Sequence, residues 1–131
     1  MPVLDASVVV EFLTEGRHFE AASALLRAEA RTLKAPHLLD AEVGHALRRV
    51  VSRGELRATA GQAALGDLAE LPLLRVAHTS LLERAWALRA NLTFYDGLYV
   101  ALAERFDEPL ITLDARLAGA PGLRADVIVL R

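Results

Sequence analysis

Apolar positions along this chain fall into two rhythms. Short, mostly apolar runs at 3–4, 110–113 and 127–130 alternate with longer stretches in which apolar residues recur every three or four positions. The short runs predict buried strands, and the 3.6-residue rhythm predicts helices with one buried face. By this reading helices cover 6–13, 18–30, 38–53, 56–71, 80–90 and 94–106. Two further strands are expected at 32–35 and 73–77. Pro2, Pro36, Pro72, Pro109 and Pro121 fall between these segments, as breakers should. Gly54 ends the helix at 38–53, while Gly61 and Gly66 weaken the next one.

Short strands alternating with long helices predict an α/β domain with a mainly parallel, buried sheet. A chain of 131 residues has room for one such domain, spanning 1–131, with no linker or repeat. In parallel sheets ligands bind beyond the carboxyl ends of the strands. Composition narrows what that ligand chemistry can be. There are no cysteines, which removes thiolate metal sites, disulfides and cysteine nucleophiles. The four histidines, His18, His37, His45 and His78, lack H-x-x-x-H spacing and are expected at surfaces or edges. No G-x-S-x-G elbow or glycine-rich phosphate loop is present. A net charge of −2 argues against generic polyanion binding, so any nucleic-acid contact must be local. All but one of the 15 basic residues are arginine, Lys34 being the exception. That bias suits bidentate phosphate contacts and equally suits a GC-rich genome. The longest apolar run is the six residues 98–103, too short for a membrane span, and the start MPVLDAS has no export-signal pattern. A cytoplasmic location is the expectation.

Four acids stand where such a sheet would place a site. Asp5 follows the first strand and Asp114 follows the strand at 110–113, so both leave the same sheet edge if those strands are parallel. Each also reads as a helix N-cap. Glu42 borders the apolar stripe Leu39, Val43, Ala46, Leu47, Val50, with His45, Arg49 and Arg53 along its flank. Pairing of Glu42 with Arg49 or Arg53 is the plain alternative. Asp96 lies within the stripe formed by Tyr99, Val100, Ala103 and Phe106, and Thr93-x-x-Asp96 also reads as a capping box. Asp40 lies roughly 160° round the helix from Glu42 and reads as compensation of the helix dipole. Converged in one pocket, Asp5, Glu42, Asp96 and Asp114 would repel unless a cation joined them. An all-oxygen ligand set points to Mg2+ or Mn2+. Ser7 and Thr112 stand beside this set, able to bond a carboxylate or a nearby water, or to make only local turn bonds.

These residues resemble the PIN-domain family, and within it the VapC-type toxin ribonucleases. Val3-Leu4-Asp5-Ala6-Ser7 resembles the family's strand–aspartate–x–serine opening. Residues 36–49 (PHLLDAEVGHALRR) resemble the segment carrying its glutamate, here Glu42. Residues 93–103 (TFYDGLYVALA) resemble its most specific stretch, and Thr112-Leu113-Asp114 its strand-end threonine–x–aspartate. Gly97, where alanine is common, and the additional Asp40 depart from the pattern without removing an acid. The resemblance implies a three-layer α/β/α PIN-like domain with a short, mainly parallel central sheet. It implies a Mg2+- or Mn2+-dependent ribonuclease with Asp5 and Asp96 as the firmest metal ligands, completed by Glu42 and Asp114. It also implies an RNA substrate, a cognate VapB-type antitoxin and a homodimer. Arg49, Arg53 and Arg48 would then position flanking RNA phosphates.

Other readings stay open from the residues alone. A housekeeping PIN nuclease for RNA maturation and a non-catalytic PIN-like binding scaffold share the same pattern. A receiver-type signalling domain needs an acidic pair after the first strand and a late lysine, whereas Asp5 stands alone and Lys34 comes early. The helix at 56–71 carries Ala60, Ala63, Ala64, Leu65, Leu68 and Leu71, a dimer face or ordinary core. Trp86 and its neighbouring leucines read as core.

Overall fold

The computed structural model describes the backbone of all 131 residues and every side chain except that of Glu29. Five strands, β1 (Val3–Leu4), β2 (Lys34–Pro36), β3 (Leu74–Val76), β4 (Leu110–Thr112) and β5 (Val127–Val129), form one all-parallel sheet in the order β3-β2-β1-β4-β5. The helices are α1 (Ala6–Leu13), α2 (Phe19–Glu29), α3 (Leu38–Ser52), α4 (Ala58–Glu70), α5 (Leu82–Ala87), α6 (Phe94–Arg105) and α7 (Ala115–Ala118). Most bounds lie within two residues of those expected from the pattern.

Three expectations need correction. The segment 80–90 is a 3₁₀ turn at Thr79–Leu81 followed by the short α5, which ends at Ala87. Trp86 is not core: it is 60% exposed, with the Arg89 guanidinium 4.6 Å from its ring centroid. Phe106 is likewise exposed at the end of α6, and the ammonium of Lys34 sits 3.8 Å over its ring. Both rings shield the stem or head of a cation, a use that hydropathy does not distinguish from burial. The four-residue α7, too short to show a period, was expected only through the reading of Asp114 as an N-cap.

The strand order explains where a site can form. β1 pairs with β4 in register Val3↔Leu110 and Leu4↔Ile111, and these two central strands are buried on both faces. From β1 the chain winds outward through β2 to β3, then returns to β4 and continues to β5. Right-handed crossovers in opposite directions put their helices on opposite faces of the sheet. One layer is therefore α1–α4, and the other is built from α5, α6 and α7. The carboxyl ends of β1 and β4 flank the point where the winding reverses, the crevice that open α/β sheets use for ligands.

The helix α6 crosses behind β1, β2 and β4 and is buried from Gly97 to Ala103 on every side. Gly97 lets it seat closely on α5: a Cβ there would stand 3.1 Å from the Ala85 carbonyl oxygen and 3.2 Å from its Cα, so α5 would have to give by a few tenths of an ångström. Asp40 pairs with Arg75 of β3, Nε and Nη2 reaching its two oxygens at 3.1 and 3.0 Å. The same guanidinium donates to the carbonyls of Leu71 at 2.6 Å and Leu68 at 2.8 Å, closing the end of α4.

Candidate active site

Asp5 is the N-cap of α1 and is 8% exposed. Its Oδ1 accepts from the Ser7 amide at 3.1 Å and the Ser7 hydroxyl at 2.5 Å. Its Oδ2 accepts from the Thr112 hydroxyl at 2.5 Å. The two hydroxyls in turn accept from the amides of Leu113 and Asp114, both at 3.0 Å. Ser7 and Thr112 thus use their protons on Asp5 and their lone pairs on the chain leaving β4, which ties the two central strand ends together. Burial still outweighs these bonds and pushes the Asp5 carboxyl above its ordinary range, with the charge of Asp96 adding to the effect.

Glu42 reaches the crevice from α3, on the opposite layer from α6. It does not pair with Arg49 or Arg53. Instead its Oε1 accepts from the Tyr99 hydroxyl at 2.6 Å. Tyr99 is 1% exposed, and burial beside three acids drives its phenol upward. Glu42 is also raised, by burial first and then by the charges of Asp96 and Asp5, the Tyr99 bond opposing the shift. Sequence reasoning placed Tyr99 in the apolar stripe and missed this donor. Its signal was available: a hydroxyl three residues after Asp96, on the same helix face.

Asp96 stands on the first turn of α6, where its amide donates to the Thr93 hydroxyl at 3.1 Å, completing the N-cap. Its carboxyl is half-buried and raised, by burial first, with the charge of Asp114 contributing. Asp114 caps α7 through the Arg116 amide at 2.9 Å, and Arg116 Nε lies 3.3 Å from the same oxygen. That contact holds the Asp114 carboxyl below its ordinary range. Both strand-end aspartates are therefore caps as well as edge acids.

The structure thus brings Asp5, Glu42, Asp96 and Asp114 to one edge, close enough to shift one another. Among the described residues, Asp5, Glu42 and Asp96 form no ion pair, and no three His, Asp or Glu side chains close around a common point as a ligand shell. Beside the acids opens a cleft of about 820 Å³ between α1, α3 and α6, which Ser7, Glu42 and Arg49 line. Arg53 lies at the far end of α3, about 16 Å along the axis from Glu42. His18 and His45 line the cleft. His37 is exposed, and His78 accepts from the Leu38 amide at 2.8 Å at the start of α3.

Comparison with known proteins agrees with this geometry. The PIN domain matches residues 3–123. Ribonuclease VapC1 of Mycobacterium tuberculosis is 47% identical over 131 residues, covering 98% of this chain and 97% of its own length. Among solved structures, the sarcin-ricin loop cleaving toxin VapC20 of Mycobacterium tuberculosis superposes with a TM-score of 0.72 at 15% identity, covering 94% of this chain and 96% of that one. A toxin–antitoxin complex from Klebsiella pneumoniae gives 0.64 at 22% identity, covering 98% and 97%. The chain belongs to the PIN-domain family, and within it to the VapC-type ribonucleases.

Proposed function

We propose that this chain is a Mg2+- or Mn2+-dependent endoribonuclease and the toxic partner of a type II toxin–antitoxin pair. The observation that carries the reading is three buried or half-buried carboxylates, Asp5, Glu42 and Asp96, each raised by burial and none in an ion pair among the described residues, at the reversal point of the sheet. Such an arrangement is unfavourable for the fold alone, and its donors are all oxygen, which suits a hard divalent cation. Asp5 and Asp96 would hold it, with Glu42 and Asp114 completing the set. When bound, the cation supplies polarisation of the phosphate and activation of water for in-line attack.

The chain's own residues do the rest. Ser7 and Thr112 fix both oxygens of Asp5: Oδ1 takes two donors and Oδ2 one, so Oδ2 keeps a lone pair free. Tyr99 donates to Oε1 of Glu42 and so holds that carboxylate in place. Arg49, and Arg53 further along α3, position flanking phosphates. Attack by water rather than the 2′-hydroxyl leaves a 5′-phosphate and a 3′-hydroxyl.

The partner is a VapB-type antitoxin, supported by the names of the VapC relatives and by the Klebsiella complex. A homodimer is supported by Ala60, Ala63 and Leu65, which α4 leaves exposed while burying Ala64 and Leu68. The reaction belongs in the cytoplasm, with its RNA substrate; no described helix is long and apolar enough to cross a membrane. Purified protein should cut RNA with Mg2+ or Mn2+ and stop in EDTA, and its expression should arrest growth until the antitoxin is supplied. Equal cleavage with and without chelator would overturn the reading.

A further inference from the structure

Resting on that reading and deepening it, we propose that the cleft beside the acids is a subsite for one unstacked nucleobase of the RNA, with Tyr95 as its stacking platform. The first observation is Tyr95 itself. From Gly97 to Ala103 the helix α6 is buried on all sides, yet Tyr95, two residues earlier, is 59% exposed and lines the cleft. Its ring makes no ring–ring contact among the described residues. The Thr93 cap fixes this first turn, so the platform is rigidly tied to the adjacent Asp96.

The second observation is what surrounds that ring. The cleft floor is apolar, built by Ala6, Val10, Leu38 and Leu113. One end is bounded by the acids through Ser7 and Glu42; further along lie Arg49, which forms no ion pair among the described residues, His18, His45 and Glu11, whose Oε1 accepts from the His18 amide at 2.6 Å. A phosphate is repelled from the acidic end and attracted by the arginine. The apolar space between them suits a flat neutral group flanked by phosphates, which describes a base turned out of its strand. Bases inside a duplex cannot offer a free face, so the substrate presents an unpaired base next to the cut.

The test compares two fluorescently labelled probes of equal length: a mixed-sequence single-stranded oligoribonucleotide and an abasic ribose-phosphate chain. Binding is read by anisotropy with Mg2+ in the Asp96→Asn background, which prevents cutting. The base-bearing probe should bind about tenfold more tightly. Tyr95→Ala should abolish that preference and Tyr95→Phe should keep it, with melting temperatures unchanged because the ring is exposed. In the otherwise wild-type enzyme, Tyr95→Ala should raise KM more than it lowers kcat. Equal or undetectable binding of both probes, tighter binding of a duplex, or an intact preference in Tyr95→Ala would each overturn the proposal. So would a Tyr95→Ala variant that weakens only antitoxin binding, since the cleft would then be a protein groove. A wild-type protein that cuts RNA yet shows no base preference defeats this inference alone, whereas one that cuts no RNA defeats the ribonuclease reading.

Discussion

Asp96 and Glu104 sit on the same helix, just over two turns apart, in opposite electrostatic surroundings. Glu104 accepts from Arg84 at 2.7 and 3.1 Å and from the Arg124 amide at 2.8 Å. Although burial opposes it, those contacts hold its carboxyl below the ordinary range. Asp96 is half-buried without an ion pair among the described residues and is pushed upward. The contrast extends across the molecule. Asp40 pairs with Arg75, and Glu108 with the N-terminal ammonium, whereas Asp5 and Glu42 have only hydroxyl and amide donors and are raised by burial, with neighbouring acids adding to it. Asp114 belongs to the edge by position and to the paired set by its contact with Arg116. Paired acids stabilise the fold that holds them. Acids raised by burial and by one another destabilise it, and such groups concentrate where chemistry is done.

The largest expected difference is in activity. On the proposed cation site, Asp96→Asn should lower RNA cleavage by about 100-fold or more, since even outer partners of such a site are worth about 10–100-fold. Its thermal stability should stay level or rise. Glu104→Ala should do the reverse, keeping near-wild-type cleavage while losing about 1–3 kcal/mol in urea titrations, the partial exposure of Arg84 reducing the figure for a buried pair. An active Asp96→Asn enzyme, or a folded but inactive Glu104→Ala, would break the contrast.

Stability against pH should separate the two sets by sign. The folded Asp5 carboxyl is raised above 3.8, so between that value and its folded one the folded state binds more protons, and its share of stability falls as pH rises. Asp5→Asn should therefore melt above wild type at neutral pH, the gain closing below pH 3.8. Glu104 is lowered below 4.5, so its contribution is complete above that value and is lost as pH falls through the folded one. The Glu104→Ala deficit should likewise close on acidification. Melting curves across pH in which the two differences share a sign would remove the distinction.

Tyr99→Phe should have a smaller effect, about tenfold on kcat, by freeing Glu42 without moving the helices. An unchanged kcat would show that Glu42 needs no brace. Gly97→Ala should be smallest. Crowding against the Ala85 backbone costs about 1–3 kcal/mol, and better helix propensity returns up to about 1 kcal/mol. Chemical denaturation should record a net loss; a gain would mean that α5 yields.

Much of the placing of the candidate site's acids could be read before any coordinates. Asp5 and Asp114 follow short apolar runs, and the Thr93–Asp96 cap opens a strongly apolar helix, so periodicity located three of the four acids at element ends. Glu42 was located as a border residue, but its partner was misjudged because Arg49 lies near in sequence and Tyr99 does not. The bond from Thr112 to the Asp5 carboxylate joins residues 107 positions apart, and that from the Leu113 amide to the Ser7 hydroxyl joins residues 106 apart. Trp86 shows the same limit from the other side: its bulk suggests burial, and only the packing of α5 on α6 leaves it outside.

The amino-acid sequence alone determined the element types, the parallel α/β class and the placing of acids at strand and helix starts, because these follow from local periodicity and capping chemistry. Only the tertiary structure decided that α3 and α6, on opposite faces of the sheet, lean Glu42 and Asp96 over the β1–β4 reversal, and that Tyr99 rather than an arginine meets Glu42. Periodicity states which face of a helix is buried; the hand of the crossovers and the strand order state what that face meets.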